Sequence, residues 1–457
     1  MPCRPKELWA PAIRASLCGI RQMKHWSLVT IPFLLAASPS LGSPSGHPTS
    51  PIIGGSLDCS MEHFPNAFNF ATWGSSTKGC YLEELHALER YQVIAADPDD
   101  QFEISSRIAE LRGMMGDELA AYRKTDDVSA SSAESERLLG DPTVDQFDAL
   151  TKITELAAKT RVVVINEAHF APHHRMFSRL LVRRLSAAGF SFLGAEAFNA
   201  EPEQFARSFR GGAPTHQTGY YVRDPVFGNL VREALMMGYK LVPYELTHVE
   251  MDSAAKTNNF QQARERGQAE RLYKRALKDK PRAKLIVLVG FDHVKERLAP
   301  NGSESSKRMA SYLRELVGED ILTVDQVAGD LTGRFHVRGQ DCSGVSQFHG
   351  KPVVLTRNEE PLSLGRYSGL VDVSVVHRCT GIDHDRPTWL QEARRVRPLL
   401  NACANTPRDR RVLAQAFLQT DPPDAVPVDQ VLRSSGGSNP TLIVPEQAKV
   451  RVECRVE

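Results

Sequence analysis

Residues 161–174 read RVVVINEAHFAPHH, and the change of pattern within this stretch decides the fold. The first five residues are mostly β-branched and apolar, which predicts a buried strand over 161–165. Pro172 follows, and because proline favours the first turn of a helix, it predicts a helix over 173–188. A strand that leads into a helix is typical of β-α-β units, whose successive strands are parallel.

The same alternation of strands and helices continues on the C-terminal side. Further strands are predicted over 190–195, 239–243, 284–289 and 321–324. Helices are predicted over 144–159, 225–237, 254–280 and 305–316. The strands are apolar throughout, which is typical of a parallel sheet covered by helices on both faces. We therefore expect an α/β domain over residues 141–330, with a mostly parallel sheet flanked by helices.

Two further regions flank this domain. Residues 44–140 begin with a Pro-, Gly- and Ser-rich stretch and show helical periodicity over 82–96 and 102–122, whereas the polar stretch 125–136 is expected to be a loop. Residues 331–457 contain short β-prone runs mixed with Pro, Gly and Cys. We expect an extended and helical N-terminal segment and a small, disulfide-stabilised β-rich C-terminal extension.

The N-terminus has the pattern of a secretory signal peptide. Five Lys or Arg precede an apolar run over 26–37, and small residues follow up to Ser43. This run of about 12 residues is too short to span a membrane, and no later run reaches about 18 apolar residues. We expect residues 1–43 to be a signal peptide, a periplasmic or secreted location, and no membrane span after its removal. Both Met1 and Met23 fit as the start of such a signal.

Charge gives no reason to expect a nucleic-acid partner. The chain of 457 residues contains 56 Lys or Arg and 55 Asp or Glu, a net charge of +1. Loss of residues 1–43 would remove five basic residues and one acidic residue, which leaves a net charge of −3. Such a protein lacks the excess of basic residues with which nucleic-acid-binding domains attract phosphates. We expect a small-molecule or peptide substrate as its partner.

Six of the eight cysteines lie beyond residue 43. An even number in an exported chain predicts up to three disulfides. Cys59 and Cys80 are close in sequence, and we expect them to pair. The other four all lie beyond residue 340 and are expected to pair among themselves: Cys342, Cys379, Cys403 and Cys454.

Titratable side chains follow four of the predicted strands at the points where these strands end. The residues are Glu167, His169, Glu196, Glu245 and His293. A single carboxylate in such a loop is often only a helix cap. Because the carboxyl ends of parallel strands meet at one edge of a sheet, four in succession favour a shared site.

Two chemistries fit such a cluster. A histidine beside a carboxylate can take a proton from water, because the carboxylate fixes the tautomer and stabilises the imidazolium. Alternatively, Glu167, His169, Glu196 and His293 together are a donor set for a divalent metal such as Mn, Zn or Co. If no metal is bound, repulsion between Glu167 and Glu196 is expected to raise the pKa of one of them.

These motifs resemble a known superfamily. NEAH (166–169) with the Pro-His-His-Arg turn after it, GAEAF (194–198) and GFDH (290–293) are similar to motifs of the erythromycin-esterase-like, haem-uptake and Tiki superfamily. The helical segment 262–269 is similar as well. The resemblance covers about residues 150–330; each motif is short, and their order and spacing do most of the discriminating.

The resemblance implies roles for individual residues. Catalytic or ligand roles fall to Glu167, His169, Glu196 and His293, and stabilisation of a developing anion falls to Arg175 and to Arg264 or Arg266. One departure is Asn166, which stands where the first motif of the family has Gly. Glycine often supplies a positive φ or a close backbone approach, and asparagine is the next most tolerant residue of a positive φ.

Several neighbouring residues are expected to be structural. Pro172 places His169 before the helix, so His173 and His174 are expected to pack rather than to bind a metal. Tyr220 and Tyr221 could line a pocket, but packing against the sheet is the stronger expectation. Without the resemblance, the charged residues of the segment 262–269 would be interpreted as a solvent-facing helix surface.

The leading hypothesis is an exported α/β hydrolase that cleaves an ester, lactone or amide. Water would be activated by His169 or His293 with Glu167 and Glu196, and an arginine would stabilise the oxyanion. The alternative is a non-catalytic protein that binds haem or another small ligand, and a third reading, suggested by Asn166, is an inactive relative with a structural role. The sequence has no GxSxG, GxGxxG, P-loop or HExxH motif, which argues against those sites.

Overall fold

A computed structural model describes Cys59 and residues 79–122, 129–332, 350–379, 381–393 and 395–457. The expected signal peptide and Cys342 lie outside the described residues. Within these ranges, no helix is both long and apolar enough to cross a membrane.

The fold alternates between helices and strands, numbered here in chain order. The α-helices are α1 (Tyr81–Ile94), α2 (Pro98–Met114), α3 (Glu118–Tyr122), α4 (Ser129–Leu139), α5 (Ala149–Ala157), α6 (Pro172–Ala187), α7 (Pro202–Arg207), α8 (Pro225–Met236), α9 (His248–Ala255), α10 (Phe260–Leu272) and α11 (Met309–Val317). The strands of four or more residues are β1 (Asp145–Asp148), β2 (Val162–Glu167), β3 (Phe192–Ala195), β4 (Lys240–Pro243), β5 (Leu285–Gly290), β6 (Leu322–Asp325), β7 (Val353–Arg357), β8 (Val373–Val376), β9 (Val396–Leu399), β10 (Val412–Leu418), β11 (Asp429–Arg433), β12 (Leu442–Pro445) and β13 (Val450–Val456).

A nine-stranded sheet lies at the centre, in the order β1-β7-β8-β6-β2-β5-β3-β4, with the short strand Glu360–Pro361 paired to β7. From β8 to β4 every neighbouring pair is parallel, and only the β1 edge is antiparallel. The predicted α/β class with a mostly parallel sheet is confirmed. Strands β7 and β8 come from beyond residue 330, so the sheet uses residues on both sides of the boundary expected there.

The central strand β2 explains why the sheet has helices on both faces. Its residues are all buried, and successive side chains point to opposite faces. Val162 and Val164 join the apolar cluster under α10 and α11. Val163 and Ile165 join the cluster under α5, α6 and α8. Both clusters together fix the sheet, and therefore the edge at which its parallel strands end.

The N-terminal helices and the C-terminal strands pack against each other. Leu85 of α1 and Ile108 of α2 share an apolar cluster with Leu413 and Leu432 of the antiparallel sheet β11-β10-β13. The predicted disulfide Cys59–Cys80 is present, and Cys403–Cys454 confirms pairing within the C-terminal region. The predicted β-rich extension with a disulfide is therefore confirmed.

Two element predictions near the N-terminal edge of the sheet are partly wrong. The helix expected over 144–159 begins only at Ala149, because residues 145–148 pair with β7 as an edge strand. The loop expected over 125–136 contains the first turns of α4.

The single helix expected over 254–280 is also wrong. The chain forms α9 and α10 instead, and Asn259 separates them. Its side chain accepts a hydrogen bond from the backbone N–H of Gln262 at 3.0 Å, which satisfies a free donor in the first turn of α10.

Candidate functional site

The order of the strands places the ends of β2, β5, β3 and β4 side by side. In the register of the sheet, Glu167 lies opposite Gly290, so the NEAH and GFDH motifs leave the sheet at the same level. Glu196 follows β3 and Glu245 follows β4 at this same edge. The structure therefore brings together Glu167, His169, Glu196, Glu245 and His293.

Glu167 orients His169 and is itself held by Arg175. The fully buried guanidinium of Arg175 donates from Nε to both carboxylate oxygens of Glu167 at 3.1 Å, and from Nη2 to Oε1 at 2.8 Å. Its Nη1 donates to Asp224 at 2.7 Å. Burial alone would raise the pKa of Glu167, but the charge of Arg175 and hydrogen bonds from Arg175 and His169 hold it at about 2. Glu167 is therefore an ionised acceptor at any ordinary pH.

The tautomer of His169 follows from this acceptor. Nδ1 of His169 lies 3.1 Å from Oε1 of Glu167, and a carboxylate has no proton to give, so Nδ1 donates. In the neutral ring Nε2 then carries the lone pair. Nε2 lies against Gly290, where an added Cβ would be 2.4 Å from it and 3.2 Å from Oε2 of Glu196. The basic nitrogen and Oε2 of Glu196 thus border the same position beside Gly290.

Glu196 is the centre of the site. Its Oε2 accepts a hydrogen bond from the backbone N–H of Gly290 at 2.8 Å, and its Oε1 accepts one from Nη2 of Arg264 at 2.8 Å. Nε2 of His293 lies 3.3 Å from the same Oε1. Burial would raise the pKa of Glu196, but His293 and Arg264 hold it well below its usual range.

His293 lies between two carboxylates. Its Nδ1 donates to Oε2 of Glu265 at 2.7 Å, and this oxygen also accepts from the backbone N–H of Met309. Burial would lower the pKa of His293, but Glu265 and Glu196 raise it to about 10. His293 is therefore an imidazolium at neutral pH.

The expected rise in pKa for one of the pair Glu167 and Glu196 is wrong. Both pKa values are lowered, because each carboxylate has its own cation: Arg175 beside Glu167, and His293 with Arg264 beside Glu196. The acid and base of this site are consequently not two carboxyl groups.

Of the two arginines in the helical segment 262–269, Arg264 faces the site. It binds Glu196 and also forms an ion pair with Glu245, which accepts a further hydrogen bond from Gln268 at 2.9 Å. Arg266 lies instead over the ring of Tyr312, 5.1 Å from its centre. Arg264 is therefore the arginine that can meet a developing anion.

Asn166 joins three strands and needs no special backbone conformation. Its φ is not positive. Its side chain donates to the carbonyl of Phe291 at 3.1 Å and to Asp325 at 2.9 Å, and accepts from the backbone N–H of Gln326 at 2.7 Å. These bonds connect the ends of β2, β5 and β6, a role that glycine could not fill.

Backbone strain occurs within the GFDH motif. Phe291 has a φ of +32°, in the left-handed region that residues with a Cβ rarely adopt. Such positions cost about 1–3 kcal/mol and cluster at functional sites. Here the strained turn brings the edge of the Phe291 ring to the ring of His169, with centres 5.4 Å apart.

The arrangement does not fit a metal. Among the described residues, no three of the set Glu167, His169, Glu196 and His293 have ligand atoms that all lie within 4.8 Å of one another. Both nitrogens of His293 face carboxylates, and a cation on Glu196 would have to displace Arg264.

A second cluster of histidines lies directly behind the NEAH loop. His173 and His174 are buried with Asp330, whose Oδ2 is 3.2 Å from Nε2 of His173 and 3.4 Å from Nε2 of His174. These three residues have donor atoms spaced for a metal. However, Nδ1 of His174 accepts a hydrogen bond from the backbone N–H of Ala168 at 3.1 Å. The proton of the neutral ring is then on Nε2, which excludes this nitrogen as a ligand.

The cluster instead supports the loop of the NEAH motif. Burial and the charge of His173 lower the pKa of His174, so His174 stays neutral and keeps Nδ1 as an acceptor. The hydrogen bond from the Ala168 N–H to His174 fixes the backbone between Glu167 and His169.

Two residues that contact the site were not predicted. Without the resemblance, Glu265 would be interpreted as part of a solvent-facing helix surface, yet it is buried; Glu265, Gln268, Ala269 and Leu272 have the i, i+3, i+4, i+7 spacing of one helix face. That spacing could have identified it. Tyr221 stacks on His169 with ring centres 3.9 Å apart and an angle of 13° between the planes. No local pattern in the sequence indicates this contact.

Comparisons with known proteins add little to this geometry. No protein-family model matches the chain, and no curated protein matches it. One solved structure that resembles it is RRSP, a MARTX toxin effector domain from Vibrio vulnificus CMCP6, with 13% sequence identity and a TM-score of 0.28. The match covers 53% of this chain and 51% of that one, so it spans about half the length of each. A likeness this distant carries no argument about fold or function.

Proposed function

We propose that this chain is an exported hydrolase that activates water with His169 and cleaves an ester, lactone or amide. The observation that supports it is the pair of imidazoles at one sheet edge with opposite roles. His169 offers a lone pair on Nε2, and His293 is protonated on both nitrogens. One base and one acid on either side of Glu196 are what hydrolysis requires.

His169 acts as the general base. A water at Nε2 gives its proton to the ring while its oxygen attacks the carbonyl carbon of the substrate. Glu167 stabilises the imidazolium that results and prevents the ring from turning, since its low pKa keeps it ionised throughout.

The opposite side of the site stabilises the negative charge that develops. Arg264 and the His293 imidazolium are the cations that meet the oxyanion of the tetrahedral intermediate. His293 then donates a proton to the leaving oxygen or nitrogen as its bond to carbon breaks. A pKa of about 10 keeps this acid loaded at neutral pH, while an alkoxide or amide nitrogen is more basic still. His169 returns its proton to solvent, and His293 is reprotonated.

Location and ancestry are part of the same proposal. The disulfides at Cys59–Cys80 and Cys403–Cys454 support a periplasmic or secreted protein, because disulfides persist in oxidising compartments. The meeting of the NEAH, GAEAF and GFDH motifs at one edge supports distant membership of the erythromycin-esterase-like, haem-uptake and Tiki superfamily.

Glu196→Gln tests the function on a panel of chromogenic esters, lactones and anilides. The amide loses its ion pairs with Arg264 and His293, so we expect turnover to fall by about 10²-fold or more, with the circular dichroism spectrum unchanged. The control is Glu203→Gln in α7, where the side chain is 84% exposed. Retained turnover in Glu196→Gln would refute the assignment. Because the donor atoms are engaged by protein groups, a chelator is expected to leave the rate unchanged.

A further inference from the structure

The ring of Tyr221 covers one face of the His169 ring. The two planes are nearly parallel, at 13°, and their centres are 3.9 Å apart. The edge of Phe291 meets the same imidazole from another direction, at 5.4 Å. Glu167 fixes which ring nitrogen is protonated, whereas the stack fixes the plane in which the ring lies.

Tyr221 is in turn held by the N-terminal helices. Its hydroxyl lies 3.2 Å from Oε1 of Glu110 in α2. Burial and the nearby charge of Glu110 raise the pKa of Tyr221 well above its usual range, so the hydroxyl keeps its proton and donates. The other oxygen of Glu110 pairs with Arg107, one helical turn away, at 3.3 Å. The contact from α2 to His169 therefore runs through two side chains.

We propose that Tyr221 is the positioning residue for His169, and that Glu110 makes the N-terminal helical segment part of the active site. The kinetic part of this inference rests on the proposed hydrolase function, whereas the geometric part does not. Without the stack, the imidazole can tilt about its bond to Glu167, and Nε2 leaves its position beside Gly290. A general base displaced by about 1 Å accelerates the reaction much less, while the substrate still binds as before.

The test combines nuclear magnetic resonance of histidine-labelled protein with kinetics. His169 signals are assigned with His169→Asn, and nitrogen shifts report which ring nitrogen carries the proton. In the wild type we expect the His169 ring protons to be shifted upfield by Tyr221, with the proton on Nδ1. Tyr221→Leu should lose the upfield shift and mix the tautomers, whereas Tyr221→Phe should keep the stacked ring and the proton on Nδ1 but show a weaker upfield shift, because it loses the hydrogen bond to Glu110.

Kinetics should follow the same order. We expect Tyr221→Leu to lower kcat about tenfold or more with KM little changed, since only the base is misplaced. Tyr221→Phe and Glu110→Ala both remove the hydrogen bond between Tyr221 and Glu110, so both should weaken the upfield shift and lower kcat less than Tyr221→Leu does. The matched control is Tyr273→Leu, at a partly buried tyrosine that packs against the core on the α10 side of the sheet.

Each outcome decides the inference. Unchanged His169 signals in folded Tyr221→Leu, or a lost shift with unchanged kcat, would overturn it. If Tyr221→Leu does not fold, Glu110→Ala decides, and an unchanged shift there refutes the link to α2. If the wild type hydrolyses nothing, the proposed function fails, and the magnetic resonance data alone still decide whether Tyr221 holds His169.

Discussion

Glu196 and His293 face each other across the site, with Oε1 of the carboxylate 3.3 Å from Nε2 of the imidazolium. The pairing holds both groups in their charged forms, because each one shifts the pKa of the other towards ionisation. Burial of the pair strengthens this effect, since the interior screens charges less than water does. His293, the acid of the proposed reaction, is therefore held in its charged form by Glu196, whose other carboxylate oxygen accepts a hydrogen bond from Gly290.

Glu265→Gln should move the alkaline limit of activity to lower pH. The pKa of His293 in the folded protein, about 10, is above its ordinary value of 6.5. Its ion pairs therefore contribute fully to the stability of the folded protein below about pH 6.5, and this stabilisation is lost as the pH rises through about 10. Loss of the Glu265 charge lowers the pKa of His293, so we expect the alkaline limb of kcat/KM to move down by about one pH unit or more.

The control for this change is Glu270→Gln, at an exposed position of the same helix. Its pH profile should match that of the wild type. An alkaline limb that stays in place in Glu265→Gln would show that His293 is not the group that titrates.

Arg175→Met should destabilise the protein strongly. Arg175 is fully buried and is paired with Glu167 and Asp224, so its removal leaves two buried carboxylates without a cation. Removal of one partner of a buried ion pair typically costs about 3–5 kcal/mol. Urea unfolding measures the loss, and Arg184→Met, on the exposed side of α6, should change the free energy of unfolding by less than about 0.5 kcal/mol.

His174→Asn and His174→Gln should differ, although both remove the imidazole. Asparagine places an oxygen near the position of Nδ1 and can still accept from the N–H of Ala168, whereas glutamine places its oxygen near Nε2. An unpaired buried N–H costs about 1–3 kcal/mol, so His174→Gln should be the less stable variant. Hydrogen exchange at the Ala168 amide measures the bond directly; equal exchange in both variants would contradict its role.

Asn166→Gly should destabilise the protein, although glycine is the residue of the superfamily motif. The side chain makes hydrogen bonds to Phe291, Asp325 and Gln326, and glycine in a strand adds a further entropic cost. We expect a loss of about 2–4 kcal/mol in urea unfolding. Asn358→Gly is the opposite case, because Asn358 has a φ of +52° on an exposed turn, and it should be neutral or stabilising.

The sequence predicts the α/β sheet and the edge that carries the site, because both depend on local patterns. Buried apolar strands identify β2, β5 and β3, and chain direction alone places Glu167 and Glu196 at the edge where these strands end. The edge strand β1 could not be found in this way. Asp145–Asp148 has no strand pattern of its own and is extended only because β7, some 200 residues later, pairs with it.

The contacts that set the chemistry of the site depend even more on distant residues. The protonation of His293 requires Glu265 from α10, and the orientation of His169 requires Tyr221 and Glu110. Each of these partners lies on a separate element, so the sequence predicts which residues meet at the site but not their protonation states.

The packing of the N-terminal helices against the last strands has a consequence for the timing of assembly. Gln430 donates to the carbonyl of Met114 across 316 positions, and Leu413 of β10 and Leu432 of β11 complete the apolar cluster of Leu85. Because synthesis begins at the N-terminus, α1 and α2 cannot complete their packing until nearly all of the chain is available. The parallel sheet, with His169 and His293 at its edge, can form earlier. The hydrogen bond between Tyr221 and Glu110 then forms in the last step. The sheet edge with the candidate site can thus form before the contacts that hold Tyr221 in place.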